Sequence, residues 1–322
     1  MAINLKYKKI RVRVFAPATV ANVGSGFDIF GFALNTPGDE LTLKITPQPG
    51  VQITRITGDN ESLPYEAEKN TAGGSILAML QSLDADFGVQ MELHKKMPIG
   101  SGLGSSAASA VASIFALNSV LQNPLSKKEL LTFAIEGEKI ASGAHVHLDN
   151  IAACLYGGFI LVRSRNPHDI VSIPTPEDLY CTIIHPRIEI KTSMSRQMLR
   201  NQISLETAIT QWGNVGGMIT ALFTNDYSLL SRSLKDVVAE PIRSILIPHF
   251  QELNELAMHN GALGCSIAGS GPSIFALSAG RRSAKKIGAV IQKFLTGQKI
   301  EHDLYISAIN QAGPKIIKTE HH

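Results

Sequence analysis

Apolar and polar residues alternate with a period of two in IRVRVFA (10–16), LTLKITP (41–47) and VQMELHKKMP (89–98), and this pattern predicts three strands. The last of them should stop at Pro98, which cannot donate to a ladder. Helical spacing runs through TAGGSILAMLQSL (71–83), AASAVASIFALNSVL (107–121) and SKKELLTFAIEGEKIASGA (126–144). The segment 151–164 turns from helix-like to strand-like after Gly157-Gly158. Three prolines and several charges in 165–179 mark where the chain should leave this first unit. The second half opens on a short β-branched run at 180–186 and continues through helical segments to residue 260. Two apolar runs, GCSIAG and SIFALS, are then split by a Ser-Gly-Pro turn, and a helix at 283–295 and a strand at 303–309 follow. That β-α-β-β-α-β order is ferredoxin-like. The expectation is an α+β chain of two domains, 1–170 and 171–322.

Composition narrows the class without naming it. The 322 residues are 44% hydrophobic, enough for substantial cores, and the net charge of +3 comes without a basic run. No nucleic-acid partner is expected. No signal peptide or long apolar span appears, so a cytoplasmic protein without a membrane partner is expected. Cys154, Cys181 and Cys265 lie far apart and lack metal-site spacing, which fits buried thiols in a reducing compartment. The terminal pair at 321–322 is readable either as native or as a tag remnant and is set aside.

The densest chemistry lies in PIGSGLGSSAASA (98–110). Gly100, Gly102 and Gly104 allow a close backbone approach, and Ser105 and Ser106 stand where a helix should begin, as N-cap residues. The free N–H groups and the positive end of a helix dipole form an anion site, with a structural Gly/Ser turn as the plain alternative. No Lys-Ser/Thr pair follows the last glycine, so this is not a P-loop. Ser105 replaces the third glycine of a dinucleotide motif, and the next segment is again helical, which excludes a Rossmann unit.

PIGSGLGSSAA resembles the second signature of the GHMP small-molecule kinases. APATVANVGSGFDIFGFAL (16–34) resembles the first in the form that homoserine kinases carry, and CSIAGSGPSIFAL (265–277) resembles the third. The resemblance implies an N-terminal domain like that of ribosomal protein S5 (1–170), a ferredoxin-like C-terminal domain (171–322), and ATP and substrate between them. It implies phosphorylation of L-homoserine, a step toward threonine, by a homodimer. The alternatives are a family kinase for another small alcohol and a catalytically silent ligand-binding member. ATP would lie on Pro98, Ile99, Gly100, Ser101, Gly102, Leu103, Gly104, Ser105 and Ser106, with Asn70 beside adenine.

Outside that loop, HVHLDN (145–150) concentrates polar groups before an apolar segment. His145, His147 and Asp149 could be read as metal ligands on a strand, but no fourth ligand is evident. The resemblance places His147 and Asn150 at the acceptor; because an amide cannot take a proton, Asn150 is expected to orient the hydroxyl and Asp149 to be structural. Asn22 and Asp28 flank a Gly-Ser-Gly turn, readable as an Asx-turn or as one wall of a pocket. By resemblance Asp28 meets the substrate ammonium and Asn22 its polar end, while Arg196 and Arg243 clamp the carboxylate with Thr192 and Gly269 nearby. A planar guanidinium suits that task. Magnesium is expected with ATP, because the β and γ phosphates need charge neutralisation. Ser106 and Glu138 are its implied ligands, with Glu136 two residues away as the competing choice.

Overall fold

The structure, a computed structural model, describes residues 5–6, 10–143, 145–190 and 192–321. Strand β1 (Ile10–Val23) buries Ile10, Val12, Val14 and Ala16 on one face, as its alternation requires. It pairs antiparallel with β2 (Gly26–Thr46), a 21-residue strand of which only the last stretch was predicted. The rest of β2 is buried on both faces around Phe30, Phe32 and Leu34, so it has no two-residue period to read. β3 (Gly50–Thr57) follows, then α1 (Thr71–Ser82) and β4 (Gly88–His94).

Helix α2 (Ser105–Val120) is the central buried helix: twelve of its sixteen residues are buried, which the small side chains of AASAVAS permit. α3 (Lys127–Ser142) starts at a capping box, in which Ser126 accepts from the Glu129 N–H and Glu129 accepts from the Ser126 N–H. Its predicted end at residue 144 lies outside the described residues. α4 (Leu148–Tyr156) leads into β5 (Phe159–Arg165) and β6 (His168–Ile173). The expected boundary at 170/171 therefore falls inside β6, which pairs with β5 in the first sheet.

The second sheet is formed by β7 (Leu179–Pro186), β8 (Gly264–Ile267), β9 (Ile274–Ala279) and β10 (His302–Ala308), in the antiparallel order β10-β7-β9-β8. Between its first two strands run α5 (Thr192–Gln197), α6 (Leu205–Thr224), α7 (Tyr227–Ser233), α8 (Glu240–Arg243) and α9 (Phe250–His259), and α10 (Gly280–Gly297) joins its last two. The predicted ferredoxin-like order is present. The last strand, β11 (Lys315–His321), was not predicted: it returns to the first sheet and pairs with β1. All but one of its residues are exposed, so its sequence carries no buried stripe.

The two sheets are in contact through a shared core. The Phe275 ring of β9 meets Phe32 of β2 edge-on at 6.0 Å, and Phe32 packs on Phe159 of β5 at 4.7 Å. The opposite face of β9 contributes Ile274 and Ala276 to a separate core beneath α9 and α10. Among the described residues, no helix is long and apolar enough to cross a membrane.

Candidate active site

A cleft of about 520 Å³ opens between the two sheets, and segments from both line it. At one end of it lies the loop before α2. Gly100, Gly102 and Gly104 all have positive φ. A Cβ on Gly104 would lie 2.0 Å from Thr19 Oγ1, and one on Gly102 would lie 2.5 Å from the Ala268 carbonyl, so the loop is wedged between the first and third signature segments. Gly104, in the left-handed conformation, is the residue that caps α2. Ser105 and Ser106 are thus first-turn residues and not the expected N-caps. Their N–H groups belong to the turn that lacks intrahelical acceptors, which keeps the anion site intact. Leu103 is buried away from the cleft, and its carbonyl accepts from the Thr19 N–H at 3.0 Å. Pro98 likewise lies outside the lining, whereas Ile99 and Ser101 belong to it.

Beneath this loop lies a buried ion pair that sequence reading missed. Lys95 Nζ pairs with Asp39 and donates to the Ser105 carbonyl at 2.9 Å and to Ser109 Oγ at 2.7 Å. Asp39 in turn accepts from the N–H groups of Lys96 and Met97 and from Ser105 Oγ. The pair ties the end of β4 to the first turn of α2. A signal was present: Lys95 lies in phase with Val89, Met91 and Leu93, on the inward face of the strand pattern.

Ser106 Oγ donates to Glu138 Oε1 at 3.0 Å, and His147 Nδ1 lies 3.1 Å from the same oxygen. The carboxylate of Glu138 raises the pKa of His147 from its ordinary value. Glu138 Oε2 is buried without a hydrogen-bond partner. A buried carboxylate oxygen left unpaired beside a hydroxyl, at the edge of an anion site, suits a hard divalent cation that takes its remaining ligands from phosphate and water. Glu136 instead faces solvent and pairs with Lys139, which separates the two candidate glutamates. The described residues contain no group of three or more His, Cys, Asp or Glu able to hold a metal, so the His145, His147, Asp149 reading has no support.

The other end gathers residues from segments far apart in the chain. Asn22 Nδ2 donates to the Gly269 carbonyl at 2.7 Å, and its Oδ1 accepts from the Asp28 N–H at 2.7 Å. That side chain fastens the first signature to the third and sets the position of Asp28. It is not a local Asx-turn. Arg196 Nη2 contacts both oxygens of Asp28, at 2.8 and 2.7 Å. Arg165, unnoticed in the sequence, donates to the Asp28 carbonyl at 3.2 Å and to the Val146 carbonyl at 2.9 Å.

Arg243 is buried, at 4% exposure, and meets only the carbonyls of Ser195 and Gly269 and the ring of Phe27, whose centroid is 4.9 Å from the guanidinium carbon. Among the described residues no carboxylate lies within ion-pair distance of it, and burial pushes its pKa down. A desolvated cation without a counterion, lining a cleft, is an anion receptor. Thr192 also faces the cleft, with Oγ1 3.1 Å from Ser270 Oγ.

Asn150 Oδ1 accepts from Thr19 Oγ1 at 2.7 Å, so its amide nitrogen remains as a donor toward the cleft. Asp149 is buried beside it, and burial together with the nearby Asp28 carboxylate raises its pKa to about 6. Asn70 lines the far rim, but its side chain is occupied: it caps α1 through the Ala72 N–H and donates to the Pro64 carbonyl.

The sequence matches the GHMP kinases N terminal domain over residues 70–158 and the GHMP kinases C terminal domain over 218–297. It is 45% identical over 315 residues to a homoserine kinase of Chlorobium phaeobacteroides (strain BS1), covering 94% of this chain and 98% of that protein. The crystal structure of a homoserine kinase from Cytophaga hutchinsonii superposes with a TM-score of 0.93 at 52% identity, covering 98% of this chain and 100% of that one. A mevalonate kinase of L. major, solved with R-mevalonate, shares the fold with a TM-score of 0.72 at 20% identity. With three signature segments meeting around one cleft and relatives that match over nearly its whole length, the chain belongs to the GHMP kinase family and, within it, to the homoserine kinases.

Proposed function

We propose that this chain transfers the γ-phosphoryl group of ATP to the side-chain hydroxyl of L-homoserine, giving ADP and O-phospho-L-homoserine. The observation that carries the acceptor is Arg243, a buried cation without a counterion, beside the Asp28–Arg196 pair. An amino acid supplies the carboxylate that Arg243 lacks, and its two charges can exchange with the Asp28–Arg196 pair, carboxylate to Arg196 and ammonium to Asp28. Thr192, His147, Asn22 and Gly269 complete the acceptor wall. The phosphates of ATP lie along the cleft-facing residues of the loop from Ile99 to Ser106, with Asn70 on the rim toward the base.

Magnesium, held by Ser106 and Glu138 when bound, supplies charge neutralisation on the β and γ phosphates. The chain's own residues supply positioning, which is the greater part of phosphoryl-transfer catalysis. Asn150 orients the acceptor hydroxyl through its amide nitrogen and cannot take a proton. The hydroxyl proton then leaves to the transferred phosphoryl oxygens, without a protein base. Asp149 acts in the structure and not on the substrate.

The reading includes two lobes, an N-terminal donor lobe and a ferredoxin-like acceptor lobe, in a cytoplasmic homodimer. The three buried free thiols agree with a reducing compartment. An assay of ADP release with homoserine, mevalonate, galactose and shikimate tests the substrate. Turnover with homoserine alone is expected, and equal turnover with mevalonate or galactose would overturn the assignment.

A further inference from the structure

Helix α6 presents an apolar stripe to solvent. Leu205, Ile209, Trp212, Gly216, Ile219 and Phe223 recur at alternating spacings of four and three, the period of a helix–helix seam. Leu205, Ile209, Trp212 and Phe223 are 57–68% exposed, and Glu206 is the helix's one charged residue. These four side chains expose roughly 500 Å² between them, toward the upper end of the largest apolar patch a monomer carries and more than half of what each partner gives to a standard interface.

The inner face of the same helix is fully employed. Ala208, Gln211, Met218, Ala221 and Leu222 are buried, and Gln211 donates to the Ser25 carbonyl at 2.7 Å and to Asp236 at 3.0 Å. The outer stripe is therefore not a core surface turned the wrong way. Its glycines carry a second signal. Gly217 must be small, because a Cβ there would lie 2.2 Å from Ser233 Oγ, but Gly213 and Gly216 have nothing within 4 Å of theirs. Each is a poorer helix former than alanine, and no contact among the described residues requires it.

We propose that this face packs on the same face of a second copy of the chain, the two α6 helices crossing antiparallel at Gly216 about a twofold axis. This locates the dimer of the reading above and does not depend on which alcohol is the acceptor. In the antiparallel arrangement Ile219 of one copy faces the partner's Gly213 and Trp212 faces the partner's Thr220, so large groups meet small ones beside the axis, and Ile209 meets the partner's Phe223 farther out. A parallel pair would set Trp212 against Trp212 and Phe223 against Phe223, holding the backbones apart where the glycines let them approach. The near absence of charge favours an uncharged, self-complementary partner over a charged one.

The association state of the full chain, measured by sedimentation at micromolar concentration without substrate, tests the proposal. A dimer is expected. Gly216→Leu should favour the helix in each copy yet weaken association about tenfold or more, because the added side chain overpacks the crossing. Trp212→Glu should do the same by burying a charge. Gly216→Cys should form an interchain disulfide with itself on mild oxidation, since Cys154, Cys181 and Cys265 are buried and do not compete. Leu205→Cys, far from the axis, should not. A monomeric wild-type chain, a dimer indifferent to both Gly216→Leu and Trp212→Glu, or cross-linking through Leu205→Cys as readily as through Gly216→Cys would each overturn it.

Discussion

In the proposed reading, recognition at the donor end of the cleft is built from backbone and small residues, whereas at the acceptor end it is built from charged side chains carried in from far apart in the chain. The donor loop occupies residues 98–106, and the one ion pair beneath it, Lys95 with Asp39, is internally neutral. The acceptor end joins Asp28 to Arg196 across 168 positions and leaves Arg243 without a counterion. A polyanion shared by many enzymes is met by a local, reusable device. A particular small molecule is met by an assembly that only the finished fold brings together.

The largest expected effect lies where the two ends meet. Glu138→Gln keeps the shape but removes the charge facing Ser106 and His147, and turnover should fall by about 10²–10³-fold, as when one preorganised polar group is lost. Normal single-turnover kinetics in that variant would detach Glu138 from the chemistry.

Next comes the pair under the loop. Lys95→Met leaves Asp39 buried and unpaired, which should cost about 3–5 kcal/mol of folding stability in chemical denaturation, while the double variant with Asp39→Asn recovers much of it. A stable single variant would show that the loop does not depend on the pair.

At the acceptor end, Arg243→Met should raise the homoserine KM by about 10- to 100-fold, the value of a charged hydrogen bond of about 1.5–3 kcal/mol, and leave the ATP KM unmoved. Equal rises for both substrates would erase the contrast between the two ends.

The smallest effect on rate is expected at Asp149. Asp149→Asn should lower turnover by less than about tenfold, below the contribution of a general base. A loss of about a thousandfold in a folded enzyme that still binds both substrates would make Asp149 the base. Its pKa, raised from 3.8 to about 6 in the folded chain, gives the variant a further signature. The folded state binds the extra proton, so the stabilisation is complete below pH 3.8 and is lost as the pH rises through about 6. Asp149→Asn should flatten that slope, as urea titrations across this range would record.

The legibility of the sequence follows the same division. Segments with one buried face, such as Ile10–Ala16 and α3, are readable because the period is imposed by a single boundary between core and water. The buried half of β2 and the exposed β11 are not, one having no polar face and the other no buried one. The donor loop is readable because its chemistry is contiguous. Arg196 and Arg243 would be ordinary surface arginines without the family resemblance, since nothing near them in sequence says which are buried. Phe27 and Arg165 gave no signal: their importance lies in what they touch, the two guanidiniums over one ring and the carbonyls of Asp28 and Val146. Glu138 was separable from Glu136 only once the turn of α3 placed one inward and the other in solvent.

The return of β11 to β1 has a mechanical consequence. Because that strand pairs with the first sheet from Ile10 to Phe15, the acceptor lobe is attached at both its entrance and its exit, as an insertion within the donor lobe and not as a bead on a string. Two crossings resist twisting in a way that one does not. Both connections, 174–178 and 309–314, end on strands of the first sheet, so the second sheet is held by two covalent tethers and cannot swivel about a single one.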